Sequence, residues 1–167
     1  PSVLIGPDRY RIRFTGAPVG EEGVSFIQTI LRVSLGESTL TPASKAKLAG
    51  LKEKRHIQVF VSPTCPFCPG EVINAFKAAI ERPDLVSAEA VEATENLDLA
   101  RQVDLAGVPH TVVNGVTVSK GLQPEERFID NLLAVKPFVG RAESAAARPE
   151  GDAVETDVLV IGGGPAG

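Results

Sequence analysis

Apolar positions along the chain recur at spacings that predict alternating strands and helices. Residues 57–135 predict the order β-α-β-α-β-β-α. Its predicted strands cover 57–61, 85–91, 110–113 and 116–119, and its predicted helices cover 65–82, 96–105 and 124–135. The first of these strands is almost continuously apolar, as in a buried parallel strand. Asn114-Gly115 favours a two-residue hairpin, because both turn positions require positive φ. The pattern predicts an α/β fold.

Residues 1–51 predict a shorter β-β-α unit with one more helix at its end. A hairpin at 1–14 precedes a helix at 21–35, and a second helix covers 42–51. A strand that begins at a proline, a partner strand and a helix also occur in the second half of 57–135, which indicates an internal duplication. The first copy lacks the β-α-β-α half. Its long helix carries an apolar stripe of Val24, Ile27, Leu31 and Leu35. We expect the stripe to pack against the second unit, so that both units form one rigid body.

The last thirty residues differ in pattern from the rest. Residues 138–156 are poor in periodic apolar positions and are interpreted as a linker between the unit at 52–137 and residues 157–167. An apolar strand then leads directly into Gly162, Gly164 and Gly167, the GxGxxG pattern of a dinucleotide-binding turn. The sequence contains no Met. We therefore expect a piece of a larger protein, in which residues 157–167 begin a domain that is too short here to bind its cofactor.

Charge and hydropathy narrow the range of functions. The chain has 17 Lys and Arg against 21 Asp and Glu, a net charge of −4. It therefore has no basic excess with which to neutralise a nucleic-acid backbone. No apolar run reaches the roughly 18 residues of a membrane helix, and the first residues do not resemble a secretory signal. Neither nucleic acid nor membrane is expected as a partner.

The two cysteines carry the clearest chemical signal. Cys65 and Cys68 form a CxxC pair between a predicted strand and a predicted helix. Backbone N–H groups at a helix start stabilise a thiolate, so Cys65 is predicted to be the attacking sulfur and Cys68 the resolving one. The alternative, half of a zinc or iron–sulfur site, would require His56 and His110 to join the pair. We predict no metal site.

The chain resembles the thioredoxin superfamily in its Cys65-Pro66-Phe67-Cys68 segment, its element order and its Gly107-Val108-Pro109. The resemblance implies that Pro109 is cis and faces the cysteines, and that the Val108 backbone pairs with the substrate. Pro66 and Phe67 complete the substrate-positioning set. This Pro-Phe pair is closer to glutaredoxins than to thioredoxin.

A wider resemblance covers nearly the whole chain. The segment Arg11–Gly20, the CxxC, Gly107-Val108-Pro109 and the glycine-rich end occur in the same order in the flavoprotein subunits of alkyl hydroperoxide reductases. This resemblance implies two fused thioredoxin folds of which only the second is active. It also implies a flavin reductase domain in cis, FAD and NAD(P)H in the full-length protein, a peroxiredoxin partner, a homodimer and a cytoplasmic location. It departs at Pro66-Phe67, so a glutaredoxin-like domain fused to a thioredoxin reductase also fits.

Other interpretations of the CxxC stay open at this point. One is a stand-alone glutaredoxin-like disulfide exchange enzyme, and another is a metal-binding or docking module. Two further residues have open roles. Glu22 begins the first helix, where an acidic residue suits the helix dipole, and the inactive first fold of the resembled family keeps an acidic residue there. His110 is expected to be a strand residue with a half-exposed ring, and His56 a surface residue.

Overall fold

A computed structural model of the chain describes residues 1–139, which form six strands and five helices. The strands are β1 (Ser2–Ile5), β2 (Ile12–Thr15), β3 (Arg55–Val61), β4 (Val86–Glu92), β5 (His110–Val113) and β6 (Val116–Lys120). The helices are α1 (Glu22–Leu35), α2 (Pro42–Ala49), α3 (Cys68–Glu81), α4 (Leu97–Gln102) and α5 (Glu125–Ala134). The predicted α/β fold is confirmed. Gly162, Gly164, Gly167 and nearly all of the predicted linker lie outside the described residues.

All six strands belong to one sheet in the order β1-β2-β4-β3-β5-β6. The β1–β2 hairpin joins the sheet through β2, which runs parallel to β4 with Phe14 opposite Ala90. β3 lies between a parallel neighbour, β4, and an antiparallel neighbour, β5. The β5–β6 hairpin turns at Asn114 and Gly115, with φ of 50° and 82°, as the sequence predicts. The first 51 residues thus extend the sheet of the second unit.

The two faces of the sheet are covered differently. Ile57, Val59 and Val61 of β3 belong to the large core cluster, together with residues of α3 and α5. Phe60, on the opposite face, belongs to a small cluster with Val91 and Val112 that residues around α4 cover. Alternate residues of a strand point to opposite faces, so the helix that begins at Cys68 lies over the larger core.

Helix α1 buries a different face from the one expected. The apolar stripe of Val24, Ile27, Leu31 and Leu35 is exposed, Leu31 by 58%. The buried positions are Glu22, Ser25 and Thr29, on the side where α1 packs against α3. The expectation that the stripe packs on the second unit is therefore wrong.

The physical reason lies in the short polar side chains of α1. Ser25 Oγ donates to the Glu22 carbonyl (2.9 Å), and Thr29 Oγ1 donates to the Ser25 carbonyl (2.7 Å). Each hydroxyl is satisfied inside its own helix, so its burial leaves no donor unpaired. Small side chains also allow two helices to approach closely. Apolar periodicity identified an amphipathic helix, but the stripe did not identify the face that packs.

Candidate active site

The CxxC segment follows the carboxyl end of the central strand. After β3, Cys65 N–H donates to the Ser62 carbonyl (3.1 Å) and Cys68 N–H donates to the Cys65 carbonyl (3.3 Å). These two turns bring the cysteines together in a disulfide, with their Cα atoms 5.5 Å apart. Helix α3 begins at Cys68 rather than at Cys65, because the residues before it form turns. Cys65 therefore lies just ahead of the helix.

The two cysteines differ in their exposure to solvent. Cys65 is 8% exposed, whereas Cys68 is fully buried. Pro66 is exposed and Phe67, between the cysteines, is 61% exposed. The loop thus presents an apolar surface beside the more exposed cysteine. This ranking agrees with Cys65 as the attacking residue, a role that stays a prediction.

Pro109 lies at the same end of the sheet as the cysteines. The Val108–Pro109 peptide bond is cis, as the resemblance implies. β5 is antiparallel to β3 and pairs His110 with Phe60, so Pro109 precedes β5 where β3 ends and the CxxC turn begins. Val108 packs partly buried against the core cluster that contains both cysteines. The structure brings the predicted cysteine and proline segments to the same end of the sheet.

Glu22 begins α1 next to the residues that precede the CxxC. Glu21 N–H donates to the Pro63 carbonyl (2.9 Å), two residues before Cys65. The Glu22 side chain is buried and accepts a hydrogen bond from the Ser25 hydroxyl, while its Oε1 has no hydrogen-bond partner within the described residues. Burial raises the pKa of Glu22 to about 7, against the opposing effect of Ser25. A group with that pKa exchanges a proton near neutral pH, close to the CxxC turn.

Glu22 should make the stability of the oxidised protein depend on pH. Its pKa is raised from 4.5 to about 7 on folding, so the folded state holds a proton that the unfolded state releases. The stabilisation is complete below about pH 4.5 and is lost as the pH rises through about 7, a change of up to about 3 kcal/mol. Glu22→Gln should remove this part of the pH dependence. Urea unfolding of both proteins at about pH 5 and about pH 8 measures it. Equal losses in the two proteins would contradict the assignment.

A second buried carboxyl, Glu71, was missed by the sequence analysis. It lies one helical turn after Cys68 and is fully buried. Its carboxylate accepts hydrogen bonds from Thr111, Ser119 and the Gln123 backbone N–H. Burial raises the pKa of Glu71, and these hydrogen bonds oppose the rise. A single Glu in an amphipathic helix gives no sequence signal of this kind, since its donors come from distant elements.

The expectation of a half-exposed His110 is wrong. His110 is only 1% exposed. Its Nε2 lies 2.8 Å from Thr117 Oγ1, and its ring forms a T-shaped pair with the ring of Phe60. It follows Pro109 but points to the face of the sheet that carries Phe60, where the small cluster around α4 encloses it. Burial, with the nearby charge of Lys120, lowers the pKa of His110, so the ring is neutral at neutral pH.

His56 is a surface residue, as expected, with a side chain 47% exposed. Its Nδ1 lies 2.9 Å from Ser87 Oγ, at the opposite end of β3 from the cysteines. Within residues 1–139, no group of three or more His, Cys, Asp or Glu is arranged to hold a metal ion. No helix in that part of the chain is both long and apolar enough to cross a membrane.

Comparison with known proteins agrees with this geometry. A thioredoxin-domain family model matches residues 55–134. The thioredoxin of Methanocaldococcus jannaschii is 32% identical over 77 residues, which cover 46% of this chain and 91% of that protein. The alkyl hydroperoxide reductase F subunit of Pseudomonas aeruginosa is 25% identical over 160 residues, covering 93% of this chain and 29% of that one. The chain thus spans less than a third of that curated relative's length.

Among solved structures, a protein disulfide oxidoreductase from Aeropyrum pernix superposes with a TM-score of 0.74 at 35% identity. The match covers 83% of this chain and 62% of that one.

An α/β fold with a CxxC disulfide at the end of its central strand, opposite a proline-led strand, defines a thioredoxin-like disulfide oxidoreductase. The chain belongs to the thioredoxin family, and it is related along nearly its whole length to the amino-terminal part of alkyl hydroperoxide reductase F subunits.

Proposed function

We propose that the chain is the electron-shuttle module of a larger flavoprotein. It accepts electrons from a flavin reductase domain in the same polypeptide and passes them to a peroxiredoxin-type partner. The observation that carries the proposal is the Cys65–Cys68 disulfide, in which Cys65 is 8% exposed and Cys68 fully buried, on a chain related over 93% of its length to an alkyl hydroperoxide reductase component.

The chemistry is two successive thiol–disulfide exchanges. In the reduced chain, the Cys65 thiolate attacks a partner disulfide, forming a mixed disulfide and releasing one partner thiolate. Cys68 then loses its proton and attacks Cys65, which releases the second partner thiolate and restores the Cys65–Cys68 disulfide. The partner gains two electrons and, after protonation of both thiolates, two protons. The dithiol of the reductase domain reverses this change on the chain.

Residues at the end of the sheet position the incoming disulfide. The Val108 backbone pairs with the partner segment, and Pro109 separates that segment from the core behind it. Pro66 and Phe67 supply an apolar contact, for which their exposure is suited. The backbone of Glu21 contacts Pro63 ahead of the CxxC, and the proposal assigns to the adjacent Glu22, whose pKa is raised to about 7, the uptake of the proton that Cys68 loses.

The cofactors belong to the rest of the intact protein. We assign FAD and NAD(P)H to the reductase body, where Gly162, Gly164 and Gly167 form the first turn of the FAD site. The proposal also makes the intact protein a homodimer located in the cytoplasm. Residues 138–156 act as the linker that lets the module move between the body and the peroxiredoxin.

Direct transfer to a peroxiredoxin tests the proposal. The 167-residue chain is reduced, freed of small thiols and mixed with the disulfide form of a two-cysteine peroxiredoxin. Mass spectrometry should show one Cys65–Cys68 disulfide formed for each peroxiredoxin disulfide lost. The rate should exceed that with insulin by about tenfold or more, since a matched partner contributes binding that insulin lacks. A Cys65→Ser/Cys68→Ser double variant is the control. Reduction of insulin without faster reduction of peroxiredoxin would contradict the shuttle role.

A general disulfide oxidoreductase is the second candidate. The observation that favours it is the 35% identity to a solved structure described as a protein disulfide oxidoreductase. The Pro-Phe pair between the cysteines points the same way. In this case the chain should reduce insulin, mixed disulfides with glutathione and peroxiredoxin at similar rates.

A further inference from the structure

Glu71 connects the CxxC helix to three other parts of the fold. Its Oε1 accepts hydrogen bonds from Thr111 Oγ1 on β5 (2.8 Å) and Ser119 Oγ on β6 (3.2 Å). Its Oε2 accepts one from the backbone N–H of Gln123 (2.9 Å). One carboxylate thus joins the first turn of α3 to both strands of the β5–β6 hairpin and to the segment after it.

The segment 121–123 is also held by its other contacts with α3. Asn74 Nδ2, one turn further along the helix, donates to the Gln123 carbonyl (3.0 Å). A Cβ added at Gly70 would lie 2.9 Å from Leu122 Cδ1, so only a glycine lets Leu122 pack this closely. Leu122 remains 45% exposed. The segment is therefore held against the start of α3, with Leu122 partly exposed beside Gly70.

The Glu71–Thr111 hydrogen bond also relates Pro109 to the cysteines. Thr111 lies two residues after Pro109, and residues i and i+2 of a strand share one face. Cys68 and Glu71 lie three residues apart on α3 and also share a side. The Glu71–Thr111 hydrogen bond consequently fixes how far the strand behind Pro109 stands from the helix behind the disulfide.

We propose that Glu71 is a positioning residue for disulfide exchange, whose carboxylate holds β5 and residues 121–123 against the first turn of the CxxC helix. It does not touch the sulfurs. It sets the spacing between the CxxC segment and Val108, which pack in the same core cluster and against which the partner's disulfide segment is proposed to lie. The inference rests on the disulfide exchange activity and does not require the flavin body or the peroxiredoxin.

A carboxylate suits this task better than an apolar side chain would. It accepts from two hydroxyls and one amide in defined directions, whereas an apolar group would leave the Gln123 N–H without its acceptor. Burial of a carboxylate is unfavourable on its own account. The burial of Glu71 is thus unfavourable by itself, but its hydrogen bonds fix the geometry of the neighbouring segments.

Kinetics of insulin reduction by the full 167-residue chain test the proposal. Glu71→Leu should raise KM about tenfold and leave kcat within about twofold, because a changed spacing weakens partner binding without altering the sulfurs. Glu71→Gln should keep KM within about threefold of the parent, since its amide oxygen can accept from the Gln123 N–H while its amide nitrogen donates to the Thr111 and Ser119 hydroxyl oxygens. Glu126→Leu, on the exposed side of α5, is the matched control and should change neither constant.

Several outcomes would overturn the proposal. One is a folded Glu71→Leu protein with a KM within about twofold of the parent. Another is Glu71→Gln behaving like Glu71→Leu, which would make the charge the property that matters rather than the hydrogen bonds. If Glu71→Leu does not fold, a Thr111→Val/Ser119→Ala variant replaces it, and an unchanged KM there also overturns the proposal. Since insulin is the substrate, failure with peroxiredoxin alone would count against the shuttle role and leave this test intact.

Discussion

Cys65→Ser is expected to reduce disulfide exchange to the uncatalysed level, a loss of at least about 10³-fold. A hydroxyl at this position cannot act as a thiolate, and Cys68 cannot replace it. Cys68 has no solvent exposure, whereas Cys65 is 8% exposed at the edge where Phe67 reaches the surface. Insulin reduction measures the loss.

Cys68→Ser should instead stop the reaction halfway. The Cys65 thiolate still attacks, but no thiol then displaces the partner, so a stable mixed disulfide accumulates. Mass spectrometry of tryptic peptides should locate the partner on Cys65. If the partner is found on Cys68 in the Cys65→Ser protein, and never on Cys65, the two roles are reversed.

The parts of the fold that depend on local chemistry could be predicted from the sequence. The Asn114-Gly115 turn is one, because the required positive φ is a property of those two residues. The CxxC turn also belongs here. Its position after a buried strand, together with Val108-Pro109, predicts a redox centre at the place where the structure has the Cys65–Cys68 disulfide.

Features that depend on distant partners could not be predicted. The environment of Glu71 is created by Thr111, Ser119 and Gln123, 40 to 52 residues away. The burial of His110 depends on which face of the sheet carries α4. The exposed stripe of α1 is the clearest case. An apolar periodicity shows that a helix is amphipathic, but which of its sides meets the neighbouring helix is decided by how closely the two can approach.

The first 51 residues are nevertheless joined to the second unit by aromatic packing. Phe14 of β2 contacts Phe76 of α3 with ring centroids 5.2 Å apart, and Phe26 of α1 at 5.6 Å, both edge-to-face. Phe14 and Phe76 are buried. The three rings form a continuous row from α1, through β2, to the helix that begins at Cys68. This row, with the parallel β2–β4 pairing, joins the cysteine-free unit to the helix that begins at Cys68.

Phe14→Ala should therefore destabilise the whole of residues 1–137 by about 3–5 kcal/mol, the usual cost of removing a buried aromatic ring. Leu31→Ala is the control on the exposed stripe and should cost no more than about 0.5 kcal/mol.

Tyr10 is the chain's one tyrosine, with no tryptophan present, so its fluorescence reports on the first unit alone. Far-UV circular dichroism reports on both units. Urea midpoints from the two probes should coincide in the parent chain and shift together in Phe14→Ala. A tyrosine transition that precedes the circular dichroism transition would show that the first unit unfolds separately, against the prediction of one rigid body.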